Sequence, residues 1–343
     1  MKKFLIALLL VTSFLQISCT SDTVNNSPTT NPVDVYVAGS KNGQACYWKN
    51  NQLFTLDSGN LVDVTATKII VSNGDVYLFG IGFYSSQPSV YHNLFWKNGV
   101  LTNLTLSYST NVQVVKNIGD MDVVGDDVYF CGITKIQDLA VEQYEIAYWK
   151  NGVKTIISGT SNLNGPTTNI KVLNNDVYVR MIRNGLYGYY KNSIYNDTPN
   201  APSSPRKGFA VNNNEIYTIY QTGNMQSTIY NITNNTFTPI GVNSNAFYTD
   251  LYFDDNNNMY YKDMQSQSIY KNGVSYCGVN TIIGDAIIDF KILNNNLYTL
   301  ENRVDFGSNN FDDIRNIVFL NGVNILEADL LTEQFNSLFI VQN

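Results

Sequence analysis

The chain has 343 residues, 28 acidic and 21 basic side chains, and a formal net charge of −7. An acid excess spread over this length argues against a nucleic-acid-binding surface, which asks for a basic patch. A single histidine, His92, excludes histidine-rich zinc or copper centres, which need several nitrogen or sulfur ligands.

The chain opens Met1-Lys2-Lys3, runs apolar from Phe4 to Leu15, and reaches Gln16-Ile17-Ser18-Cys19. A basic start, an apolar core and a small residue before a cut are the parts of a signal peptide. The apolar run falls short of the roughly 20 residues that span a bilayer. The segment resembles a bacterial lipoprotein signal, cleaved so that Cys19 becomes an acylated first residue, with Gln16 where leucine is usual. An ordinary signal peptide is the alternative. Removing residues 1–18, with Lys2 and Lys3, leaves 325 residues and takes the charge from −7 to −9. Residues 19–32 are Ser, Thr, Asn, Asp and Pro with almost nothing apolar, as expected of a flexible tether. Within them, Asp22-Thr23-Val24 resembles the short O-glycosylation sequence of Bacteroidetes exported proteins. The expected organisation is therefore 1–18 signal, 19–32 tether with lipidated Cys19, and 33–343 one domain. The expected location is the outer membrane, on its periplasmic side or at the cell surface.

From residue 33 onward the chain repeats. Asp34-Val35-Tyr36 returns as Asp75-Val76-Tyr77, Asp127-Val128-Tyr129 and Asp176-Val177-Tyr178. Looser copies are Glu215-Ile216-Tyr217, Asn258-Met259-Tyr260 and Asn296-Leu297-Tyr298. The tyrosines recur at a mean spacing of about 44 residues, within the range of propeller blades. One unit shows the elements in order. Ile69-Ile70-Val71 is a strand and Ser72-Asn73-Gly74 turns. Asp75 to Gly80 is a second strand, Leu94 to Lys97 a third, Asn98-Gly99 a turn, and Val100 to Leu104 a fourth. Trp96-Lys97-Asn98-Gly99 is repeated intact as Trp149-Lys150-Asn151-Gly152, which marks the joint between third and fourth strands. No helical period survives beyond the signal.

These units resemble the β-propeller superfamily, with kelch- or WD40-like blades, and are similar to the Asn- and Tyr-rich propeller lipoproteins of Bacteroidetes. The expected fold is all-β: a seven-bladed β-propeller of four-stranded antiparallel blades, with six or eight blades as alternatives. The first unit begins at its second strand, and the chain ends with an extra apolar stretch, Ser337 to Val341. The C-terminal strand should therefore complete the first blade and remove two free sheet edges.

Chemistry is harder to find. His92 is expected to be structural, because no Ser or Cys nucleophile motif surrounds it. Asp120, Asp122, Asp250, Asp285 and Asp289 fall near first strands, where a carboxylate pair could support glycoside cleavage or lyase chemistry. Nothing in the sequence selects a pair, so no catalytic residue is assigned. No cofactor is expected, calcium being the one left open. Asp305, Asp312 and Asp313 are the candidate ligands, and Asp254 to Asn258 is a second oxygen-rich run that also suits a turn. Cys46, Cys131 and Cys277 are expected to be free, buried thiols.

The first-to-second and third-to-fourth turns are short and share one face of the disc. The second-to-third loops, such as Ile81 to Tyr91, Ile133 to Gln143 and Glu301 to Asp313, lie on the other with the blade crossings. Function is usually placed on long variable loops of a rigid scaffold. The ligand-binding candidates are therefore Phe83, Tyr84, Arg183, Tyr187, Phe306 and Phe311. The expected role is a monomeric envelope binding or scaffold protein for a glycan, peptide or protein, with a channel hydrolase or lyase as the alternative. On the short-turn face, Lys49, Lys97, Lys150, Lys191 and Lys271 could form a basic ring facing an anionic membrane.

Overall fold

A computed structural model describes residues 32–137, 142–160, 169–183, 186–197, 203–221, 227–240, 248–278, 285–304, 314–329 and 332–343. These residues form seven four-stranded antiparallel sheets. In six of them, four strands follow in chain order. In blade 1 the first, axial place is taken by the last strand of the chain, Glu333–Gln342, which pairs antiparallel with Val33–Lys41 as the blade's second strand. The first strand of each blade touches the first strands of both neighbouring blades, so a ring of seven closes around an axis. The chain is a seven-bladed β-propeller.

The joints follow from residue type. In blades 2, 3, 6 and 7 the third strand ends in an Asn-Gly pair with both residues at positive φ: Asn98 and Gly99, Asn151 and Gly152, Asn272 and Gly273, Asn321 and Gly322. Blades 1 and 4 use Asn50-Asn51 and Asn192-Ser193 in the same conformation. These are type I′ turns, whose twist matches that of the flanking strands. The asparagine does more than tolerate the backbone. Asn98 Oδ1 accepts from the Val76 amide at 2.9 Å, and its Nδ2 donates to Asp75 at 2.8 Å. Asn50, Asn151 and Asn192 make the same two bonds to Val35 and Asp34, to Val128 and Asp127, and to Val177 and Asp176. The repeated Asp and Asn thus belong to one joint, which ties the second strand to the third-to-fourth turn.

That joint overturns the basic ring. Lys49, Lys97, Lys150 and Lys191 pair with Asp34, Asp75, Asp127 and Asp176 of their own blades at 2.7–2.8 Å. Each also lies over the blade's repeated tyrosine at 5.1–5.4 Å. Lys271, whose blade has Asn258 in place of the acid, lies over Tyr260 and Tyr276. Four of the five positive charges are balanced where they stand.

Inside the ring, the first strands bulge. The ladder shifts at Ala66/Lys68 in blade 2, at Ile118/Asp120 in blade 3 and opposite Ala38/Gly39 in blade 1. A glycine on the second strand faces each bulge. A Cβ on Gly39, Gly80 or Gly132 would stand 1.8, 2.1 or 2.2 Å from the carbonyl oxygen of Gln334, Thr65 or Asn117. These glycines sit five residues after the repeated Asp, a slot filled in blades 4–7 by Met181, Tyr220, Asp263 and Glu301. Between blades the core is apolar and aromatic. Tyr36, Leu78, Leu94 and Trp96 fill one seam, and Tyr77, Phe79, Phe130 and Trp149 the next.

Two expectations change at the crossings and loops. A four-residue helix, Leu104–Ser107, capped by Asn103, occupies the crossing from blade 2 to blade 3. The expected loop from Ile81 to Tyr91 is largely strand: Asp75–Tyr84 and Gln87–Lys97 continue outward as a β-ribbon. Among the thiols, Cys46 and Cys131 are buried and outside any disulfide, as expected. Cys277 is disulfide-bonded, against the expectation of a free thiol.

Candidate functional site

The ribbon of blade 2 is the part of the long-loop face built from candidate residues with described side chains. It follows from the alternation of its sequence. Val62, Phe83 and Tyr91 stand abreast on the first, second and third strands. Val62 and Tyr91 are 41% and 40% exposed and Phe83 is half-buried. Together they make an apolar and aromatic row across the outer end of the blade. Tyr84 points to the opposite side, packs on the core shared with blade 1, and meets His92 edge-on with ring centroids 4.7 Å apart. His92 is buried, and neither of its ring nitrogens has a hydrogen-bond partner among the described residues. Among the described residues no acid, serine or cysteine orients it as the base of a triad would be oriented.

Beside the ribbon, between blades 1 and 2, opens a cleft of about 350 Å³. Its walls include Ser40, Gly43, Asp63, Thr65, Thr332 and Glu333. It exists because blade 1 has the tight turn Asn42-Gly43 where blade 2 has its ribbon. The turn is held on both sides: the Asn42 amide donates to Thr332 O at 2.7 Å, and Gly43 O accepts from the Val64 amide at 2.8 Å. Lys41 pairs with Glu333 at 2.9 Å, which raises the proton affinity of the lysine. Asp63, exposed at the rim, is held at φ 50° inside a bulge of the first strand. Bulges and strained backbone of this kind cluster at functional sites. The sequence reading missed this cleft, although the shortness of Asn42-Gly43 against the other second-to-third connections is visible in the repeat.

The five acids near first strands turn out to be ties. Asp120 pairs with Lys68 of the preceding blade at 2.6 Å and accepts from the Ile170 amide of the next. Asp122 pairs with Lys171 and accepts from the Val172 amide, both at 2.8 Å. Asp289 pairs with Lys291 at 2.7 Å and accepts from Leu338 of blade 1 at 3.0 Å. Asp250 pairs with Lys262 at 3.0 Å, and Asp285 with Arg303 at 3.1 Å. Removing one partner of such a buried pair would leave an uncompensated charge, so these contacts lock blades together. Burial raises the proton affinity of Glu301. It accepts from Thr299 at 2.6 Å and from Arg303 Nε at 2.8 Å, and Arg303 also holds Asp285. Both carboxylates of this cluster are thus clamped on one guanidinium. Asp254 is likewise spent on its own turn, accepting from the amides of Asn256 and Asn258, from Asn258 Nδ2 and from the Tyr260 hydroxyl.

Arg183 and Tyr187 lie on the second and third strands of blade 4, where the register puts Ile182 opposite Tyr187 and Arg183 opposite Leu186. Phe306, Phe311, Asp305, Asp312, Asp313 and Cys19 lie outside the described residues. Tyr108, expected from the sequence as an aromatic of the long crossing Ser107 to Asn117, caps the C-terminus of the short helix. It stacks on Trp149 with centroids 5.4 Å apart, inside the seam of blades 2 and 3.

No family model matches the chain, and no curated protein does. Solved structures do. The chain is similar to an acylaminoacyl peptidase of Pyrococcus horikoshii, at 10% identity and TM-score 0.51, over 87% of this chain and 51% of that one. It is similar to a puromycin hydrolase at 9% identity and TM-score 0.48, over 76% of this chain and 47% of that one. It is also similar to a protein of unknown function from Bacteroides caccae, at 9% identity and TM-score 0.41, over 91% of this chain and all of that one. The chain spans about half the length of the two hydrolases. At these identities the likeness is one of fold.

Proposed function

We propose that this is an exported, lipid-anchored propeller of the cell envelope that binds a glycan, peptide or protein on its long-loop face. One observation carries the reading. The domain begins at Pro32, whose carbonyl accepts from Asn343, and Val33–Val35 lie beside the Asn50 turn. A tether at residues 19–32 therefore joins the short-turn face, and the blade 2 ribbon with its neighbouring cleft points away from the anchor. An apolar aromatic row beside a small polar cleft is the usual make-up of a recognition site. The alternative, a carboxylate hydrolase or lyase in the channel, is disfavoured because all five candidate acids are held in ion pairs that join or brace the blades.

Binding is tested with the mature chain on arrays of envelope glycans and peptides. Phe83→Ala with Tyr91→Ala should lower affinity for a captured ligand at least tenfold, and Lys97→Ala on the opposite face should leave it unchanged. Equal affinity for all three proteins would refute the assignment of the face.

A further inference from the structure

The short-turn face carries an apolar feature that ligand binding on the far side does not use. The residue that opens the fourth strand, directly after the turn, is Val100, Val153, Ile194, Val274 and Val323 in five blades. These side chains are 65–71% exposed. Gln52 and Thr236 take the slot in blades 1 and 5. A lone exposed valine needs no explanation. Five aliphatic residues at one register position are different. Each is the cross-strand partner of the residue that ends the third strand: Lys97, Lys150, Lys191, Lys271 or Leu320. Blades repeat by rotation about the ring axis, so equivalent positions stand at one height. The five side chains therefore ring the disc in a single plane parallel to its face.

The chain enters the domain at Pro32 on this same face. We infer that the five residues are a lipid contact: the short-turn face lies flat on the membrane that holds the tether, with Val100, Val153, Ile194, Val274 and Val323 entering the boundary between headgroups and acyl chains. This rests on the reading of Cys19 as the anchor. A flexible tether of 14 residues has an end-to-end distance of roughly 20 Å. It keeps this face at high effective concentration beside the bilayer, where several weak apolar contacts act together. Side chains of an interfacial element typically sink about 5–10 Å into that boundary. Lys97, Lys150 and Lys191, beside Val100, Val153 and Ile194, are balanced by their aspartates, which leaves Lys271 beside Val274 as the one joint lysine without an acid in its motif, so the joints present little net charge to anionic lipid. The contact is therefore apolar and insensitive to salt.

Hydroxyl-radical footprinting tests this on the lipid-modified protein in nanodiscs of phosphatidylcholine, with and without phosphatidylglycerol. The reference is the unlipidated Cys19→Ser mature chain in solution. Oxidation of the five residues should fall at least threefold on both bilayers, at low and high salt, while Val62 and Tyr91 on the far face oxidise as in solution. Five residues that oxidise at the solution rate on the bilayer overturn the inference. So does protection that needs anionic lipid and vanishes in salt. The parent reading fails separately, if intact mass shows no lipid on Cys19. In that case the mature chain is coupled through Cys19 to a maleimide lipid and footprinted in the same way. Protection there supports the contact without natural lipidation, and its absence overturns it.

Discussion

Gly80→Ala should be among the most damaging single substitutions in the domain, although it adds one methyl group to a strand. The new Cβ would stand 2.1 Å from Thr65 O and 3.0 Å from Ala66 Cα. An ordinary contact needs about 3.4 Å, so the first strand of blade 2 would have to withdraw by about 1 Å. It has nowhere to go. Its bulge is held from one side by Asn336 on Ala66 O at 2.9 Å, and from the other by Lys68 on Asp120. Overpacking a site that cannot relax costs typically 1–3 kcal/mol and more where backbone is struck, so a loss of about 3 kcal/mol is expected. At roughly 2 °C per kcal/mol for a domain of this size, the melting temperature should fall by about 6 °C. Gly159→Ala is the control, with its nearest neighbour at 4.0 Å and no strained φ. Calorimetry of both variants decides the matter. If the Gly80 variant melts with the wild type, the bulge is soft and the account of the inner ring is wrong.

Three further outcomes are expected. Asn98→Ala loses two hydrogen bonds and puts at φ 50° a residue without asparagine's tolerance of the left-handed region, and should cost about 2–4 kcal/mol, whereas Asn98→Gly escapes the backbone penalty and should cost about half as much; equal losses in denaturant titrations would remove strain from the argument. The carboxyls of Asp34, Asp75, Asp127 and Asp176 are held below their ordinary value of 3.8, chiefly by their lysines. Their stabilisation is present above that value and is lost as pH falls through the lowered ones, so melting temperature should decline below about pH 4, and less steeply in Asp75→Asn with Asp127→Asn; identical pH profiles would count against the joints. Burial pushes the Cys46 thiol up to about 12, so Cys46 should resist alkylation in the native protein.

The blade count, the hairpin joints and the closure were legible because each is a local event written repeatedly. Asn98-Gly99 announces its turn within two residues, and the spacing of Tyr36, Tyr77 and Tyr129 announces the period. What joins one blade to the next was not legible. Lys68 meets Asp120, and Asp122 meets Lys171, across about 50 residues of chain, with no local pattern to select those partners from other charges. The acids therefore looked available for catalysis when they were already engaged. The lysine of the joint was misread for a related reason: its partner, Asp75, lies 22 residues upstream and was assigned to the strand motif alone. The glycine slot of Gly39, Gly80 and Gly132 was visible as a repeat but carries meaning only once the bulge facing it is seen. The ribbon of blade 2 was hidden by length, since Phe83, Tyr84, Val90 and Tyr91 are strand formers placed where a loop was expected.

The way blade 1 is shared between the two ends of the chain sets an order of events. Val33–Lys41 is among the first parts of the domain to be synthesised and pairs with Glu333–Gln342, the last, with Lys41 bound to Glu333 across 292 residues of sequence. Until Glu333–Gln342 is made, the opening strand has one neighbour and one open side. Blades 2 to 7 can each form from contiguous chain, but the ring has no closed state to reach while the final ten residues are missing. A nascent or truncated chain is thus a fan with two sticky margins, and the C-terminal strand acts as a completeness check: only a full-length molecule hides both.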